Sequence, residues 1–173
     1  MAQVIQLTFE PAYDAYHTMF RVARLFPVIG KERVEYDKLR IMDFYLCFPE
    51  LIDQLRLKQE HRRFRQLVRL RQGLYSGKPD GRLAFNRMQP TQSAAVQTLA
   101  LDGYLAGEPL ELGWVEATGK PSPADLDVRV QQLNAEERPL IEFMEVLLRE
   151  YPLIGDNGLK HRSALMEHRY DVA

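Results

Sequence analysis

Apolar residues recur at steps of three and four along most of the chain, with short alternating or glycine-rich stretches between them. Residues 12 to 26 place Tyr13, Tyr16, Phe20 and Ala23 on one helical face, after a leader in which VIQLTF suggests a strand. Pro27 and Gly30 interrupt that pattern. From about Glu35 a second helix carries Leu39, Met42, Tyr45 and Leu46 on one side, with Ile41, Phe44 and Phe48 widening the apolar surface almost all round. A helix so apolar belongs in the centre of a core. Pro49 biases Phe48 away from helical geometry and suits the first turn of a following helix, ELIDQLRL.

Residues 56 to 72, RLKQEHRRFRQLVRLRQ, keep an apolar stripe of Phe64, Leu67, Val68 and Leu70 within a basic amphipathic helix. GLYSGKPDG is a loop, RLAF a short strand candidate, and Pro90 stands where the first turn of the next helix is expected. In that helix Val96, Leu99 and Ala100 point inward and Gly103 supplies the stop. Alternation at Leu110, Leu112 and Trp114 then predicts a strand. Helix, glycine stop, strand and turn in this order suggest a winged-helix-like region over residues 35–120. An acidic, polar connection, SPADLDVRVQQLNAEER, leads to a helix with Leu140, Phe143, Met144, Leu147 and Tyr151 at helical spacing. A turn at GDNG and a last short helix, LKHRSALMEHRY, complete a C-terminal helical extension over 121–173. The expected architecture is one compact unit over 1–173, mainly α with a small β-sheet, of winged-helix-like α+β type.

Charge changes this picture in one place. The chain of 173 residues carries a formal net charge of −1, so it is not a polycation built to coat DNA or an acidic membrane. Residues 56 to 71 nevertheless contain seven Arg or Lys and one Glu, which leaves a net −7 on the rest. Nucleic-acid affinity, if present, is therefore local. Arg62, Arg65 and Arg69 align on an α-helix, with Arg63 and Arg71 to the side; the stripe suits a DNA backbone, an acidic partner or plain solvation. The face of the later helix formed by Gln92, Ser93, Gln97, Thr98 and Asp102 is a candidate base-reading surface. It lacks cations, since no Lys or Arg occurs from Gln89 to Leu105, whereas phosphate contacts supply most of the affinity of ordinary DNA binders.

Catalytic chemistry finds little support. VIGKERV and YSGKPDG contain Gly-Lys but not the spacing of a phosphate-cradling loop, so no nucleotide cofactor is expected. The histidines at 17, 61, 161 and 168 are scattered and suggest no metal site. Asp37 and Asp43 are explained by salt bridges to Lys38 or Arg40, and Cys47, the sole cysteine, by burial. Trp114 reads as a core or wing anchor. With no leader-like start and no apolar run of membrane length, the expectation is a cytoplasmic protein without membrane contact.

The segment FPVIGKERVEYDKLRIMDFYLCFPELI resembles the middle component of bacterial ABC-three-component conflict systems, including the small subunit of Lamassu-type anti-phage defence. Tyr36, Asp37, Lys38, Leu39, Arg40, Asp43, Phe44, Tyr45, Leu46, Phe48 and Pro49 carry the likeness. The resemblance implies a non-catalytic, winged-helix accessory subunit. Its partners would be an SMC-like or RecN-like ATPase and an effector, often a nuclease, and it would couple sensing of DNA to that effector. A recognition helix without cations suits such a protein-binding role. The alternative reading is a winged-helix transcription regulator with a discrete DNA site.

Overall fold

The computed structural model describes residues 10–71 and 78–166, the side chains of Leu70 and Arg71 excepted. The fold is mainly helical with one small sheet. Helix α1 (Ala15–Ile29) starts where the Asp14 carboxylate accepts the His17 backbone N–H at 2.9 Å. It runs through Pro27 and stops at Gly30, whose φ of +61° is open to a residue without Cβ. Pro27 removes only a bond of the last turn, and burial of Val28 and Ile29 sustains the helix beyond it. The inward face is also rotated from the expected one: Val22, Leu25 and Ile29 are buried, while Tyr16 is 78% exposed.

Helix α2 (Tyr36–Cys47) lies in the core as its composition predicts, with every residue from Lys38 to Cys47 buried. A 3-10 helix, Pro49–Gln54, follows with Pro49 in its first turn. The basic stretch, Gln59–Arg71, is 3-10 rather than α-helical. His61, Phe64 and Leu67 recur at steps of three, which a three-residue turn lines up and an α-helix would rotate apart.

Helix α3 (Gly81–Leu101) begins nine residues before Pro90, capped by Asp80, whose carboxylate accepts the Leu83 N–H at 2.8 Å. The RLAF stretch is thus the first turn of this helix and not a strand. Its Ala84, Phe85 and Met88 continue the buried stripe of Ala95, Val96 and Leu99, and exposed Pro90 is tolerated within the helix. After Gly103 (φ +81°), the short helix α4 (Gly107–Glu111) occupies the place where alternation predicts a strand. Leu112 is consequently 71% exposed, and the strand is confined to Trp114–Val115.

That strand, β2, pairs antiparallel with β1 (Val34–Glu35), in register Val34 to Val115 and Glu35 to Trp114. The Tyr36 N–H extends the ladder to the Gly113 carbonyl at 2.8 Å. A bridge between Leu105 and Ala117 closes a loop around α4. The presumed polar connection contains helix α5 (Ala124–Glu136), held to α1 and α6 mainly through polar groups, with Val130 its one buried residue. Helix α6 (Arg138–Glu150) inserts Leu140, Phe143, Met144, Leu147 and Leu148, and α7 (Leu159–Ser163) follows the Gly155–Gly158 turn. One buried cluster spans Ala12 to Leu165 and takes side chains from α1, α2, α3, α6 and α7.

Candidate interaction surface

The basic segment is pinned by its apolar line. Phe64 packs on Phe143 of α6 with ring centroids 5.2 Å apart, and Leu67 and Val68 are buried beside it. Tyr151 fastens the start: its hydroxyl accepts the Lys58 backbone N–H at 2.9 Å and lies 2.9 Å from His61 Nδ1. Lys58 Nζ donates to the Glu150 carbonyl at 2.7 Å. With the apolar side held, Arg62, Arg63, Arg65 and Arg69 all project to solvent. None of the four makes a salt bridge to a described residue; Arg63 rests 4.8 Å over the Phe64 ring. The three-residue turn sets Arg62 and Arg65 on one ridge and Arg63 and Arg69 on the next, in place of a single 62-65-69 stripe. The Arg71 side chain lies outside the described residues.

Of the candidate base-reading face, Gln92 turns inward. Gln92 is 2% exposed and sits one helical turn before Val96, on the inward side of α3. Its Nε2 donates to Asp43 Oδ2 at 2.8 Å and to the Arg40 carbonyl at 3.2 Å, and its Oε1 accepts Arg40 Nε at 3.0 Å. An apolar run with one amide on its axis signals such a core partner, since a buried carboxamide must find donors and acceptors. Gln97 and Thr98 are exposed but bond within the helix, to Ser93 Oγ at 3.1 Å and to the Ala94 carbonyl at 2.8 Å.

Gln92 belongs to a buried polar network centred on α2. Arg21 Nε donates to Asp43 Oδ1 at 2.6 Å, while its Nη2 reaches Asp43 Oδ2 at 3.3 Å and Thr18 Oγ1 at 3.0 Å. Burial penalises this guanidinium, but the Asp43 carboxylate and its hydrogen bond outweigh it, and the Arg21 pKa is raised. Arg40 Nη1 meets Asp37 Oδ1 at 3.4 Å, and Lys160 Nζ of α7 lies 3.3 Å from Asp37 Oδ2. Lys38 Nζ donates to the Leu148 carbonyl at 2.6 Å, and burial lowers its pKa. Asp37 thus pairs with Arg40 as expected, whereas the partner of Asp43 is Arg21. The missed signal was an arginine among the apolar positions of α1, facing a carboxylate on an otherwise apolar helix.

Among the described residues no three of His, Cys, Asp and Glu converge on a metal-sized site. Cys47 is buried. The charged side chains of α2 connect it to α1, α3, α6 and α7. Comparison with known protein families finds a match to the ABC-three component (ABC-3C) system Middle Component 5 over residues 7–171.

The chain belongs to that family.

No curated protein and no solved structure matches it. As a middle component the protein is an accessory subunit of an ABC-three-component system. The match reaches far beyond the segment that first suggested it, taking in the basic 3-10 helix, α3 and the C-terminal helices. Within the middle component, Tyr36 to Pro49 form the central helix and its boundary, so the most recognisable residues are those that hold the fold together.

Proposed function

We propose that this middle component is the non-catalytic subunit that binds an SMC-like or RecN-like ATPase of its system and couples DNA sensing to an effector such as a nuclease, as in Lamassu-type defence. Membership of the middle-component family carries the reading. Four solvent-facing arginines on two adjacent ridges of the basic 3-10 segment support it, since such a surface suits an acidic protein partner or a phosphate backbone. Burial of Gln92 and the lack of cations from Gln89 to Leu105 weigh against α3 as a base-reading helix, and hence against the transcription regulator. Among the described residues no helix is long and apolar enough to cross a membrane.

Co-purification with the products of neighbouring genes tests this. A tagged middle component should retain a coiled-coil ATPase and an effector through a high-salt wash. Recovery of the tagged chain alone, with a discrete DNA footprint, would replace the subunit with the regulator.

A further inference from the structure

What the arginine-bearing segment leaves out narrows its partner. Arg62, Arg63, Arg65, Gln66 and Arg69 are exposed, while Phe64, Leu67 and Val68 between them are all buried. From Arg62 to Arg69 the surface therefore offers cations and one carboxamide but no aliphatic or aromatic side chain. A protein interface draws its affinity from a desolvated centre of apolar and aromatic anchors. A phosphate backbone needs none, since guanidiniums supply both the charge and the paired N–H donors it accepts. Glu60 is the one acidic residue of Gln59–Arg71, and residues 72–77 contain no Asp or Glu. His61 is partly buried against Tyr151, and Phe64 is buried, so no ring of Gln59–Arg69 lies open for a base to stack on. Single-strand binders depend on such stacking.

We propose that this surface binds the phosphate backbone of double-stranded DNA without reading its sequence. At a rise of about 2 Å per residue, the line from Arg62 to Arg69 extends roughly 14 Å, over which one strand of B-DNA carries about four phosphates. Four arginines therefore meet about as many charges along one strand. Phe64 on Phe143 and Tyr151 at the start of the segment seat the backbone that carries them. Arg63 is restrained further by the Phe64 ring beneath it, 4.8 Å away. Residues outside 56–71 sum to −7, so the contact is local and falls in the range of non-specific binding, about 10⁻⁴ to 10⁻⁶ M. Its biological role rests on the subunit reading, whereas the contact itself does not.

Fluorescence anisotropy of the full chain with labelled DNA duplexes of two unrelated sequences, over a salt series, tests this. Equal affinity for the two is expected, with log K falling against log salt at a slope of about −3 to −4, roughly 0.9 for each phosphate met. Arg62→Ala, Arg65→Ala and Arg69→Ala together should weaken binding at least about tenfold near 50 mM salt and bring the slope to about −1. Arg62→Lys, Arg65→Lys and Arg69→Lys together should keep the slope, because each cation remains. Tighter binding of one duplex sequence, of an RNA duplex, of a single strand or of polyglutamate overturns the proposal. So does binding indifferent to the alanine variant, or no binding at about 100 μM protein. Co-purification with the ATPase is scored separately. A chain that retains the ATPase but not DNA overturns this contact and leaves the subunit reading standing; an alanine variant that loses the ATPase but not DNA makes the surface a protein contact and overturns it as well.

Discussion

Asp43 is the residue on which the polar core turns. It receives Arg21 from α1 and Gln92 from α3 while it sits on α2, so three helices meet at one carboxylate. Asp43→Ala leaves a buried guanidinium without its counter-charge and should cost about 3–5 kcal/mol in urea unfolding. Arg21→Met combined with Asp43→Leu should cost less than Asp43→Ala alone, because no uncompensated charge remains. A double variant as unstable as the single would show that the pair stabilises the fold beyond charge compensation. Tyrosine burial sets the alkaline limit. Burial is the leading cause of the raised pKa values of Tyr13, Tyr36, Tyr45 and Tyr151, and at the deeply buried Tyr45 it acts alone. A group whose folded pKa is raised contributes stability that is complete below its unfolded value and lost as pH rises. Stability should therefore fall above about pH 10, and Tyr45→Phe should fall less steeply there. Lys38, with its pKa lowered, acts with the opposite sign below 10.5. Parallel slopes for wild type and Tyr45→Phe would exclude Tyr45 as a contributor.

At the level of elements, the basic 3-10 segment separates anchoring from recognition. Phe64→Ala removes the ring seated on Phe143 and should cost about 3–5 kcal/mol. Replacing Arg62, Arg65 and Arg69 with alanine should alter stability little, each change lying within about 0.5 kcal/mol, because all three are exposed. The same triple variant should weaken DNA or acidic-partner binding and flatten its salt dependence. An unaltered salt slope would remove the ridge as a contact surface. Two helices were legible in the chain: α2 from its all-round apolar density, and α6 from the stripe of Leu140, Phe143, Met144 and Leu147. Elements decided by non-local contacts were not. Phe85 and Met88 carry α3 back past Pro90 because they bury against α1 and α2, a fact absent from local propensity. α5 buries only Val130 and depends on partners such as Asn134, which bonds Arg24 across a hundred residues of sequence. The 3-10 geometry of the basic segment was not legible, because its buried Phe64, Leu67 and Val68 fit an α-helical stripe as well until the packing surface is known. Of the candidate surfaces, exposure of the arginines followed from their alternation with apolar anchors; the inward turn of Gln92 was also implied by its distance from Val96.

At the scale of the molecule, the described residues share one buried cluster from Ala12 to Leu165, and equilibrium unfolding should reflect it. Residues of α1, α2, α3 and α6 contact one another in a single buried cluster, so calorimetric and van't Hoff enthalpies should agree. Two resolved transitions would instead favour residues 35–120 as a separable winged-helix-like region. The seating of α6 over α2 has a further consequence during synthesis. Lys38 reaches the Leu148 carbonyl and Tyr45 meets the Phe143 ring, so the central helix is covered by one made roughly a hundred residues later. At about 5–20 residues per second, the ribosome would leave the apolar surface of α2 without this cover for on the order of ten seconds. Nascent chains arrested before α6 emerges should accordingly recruit holding chaperones, and chains released after it should not.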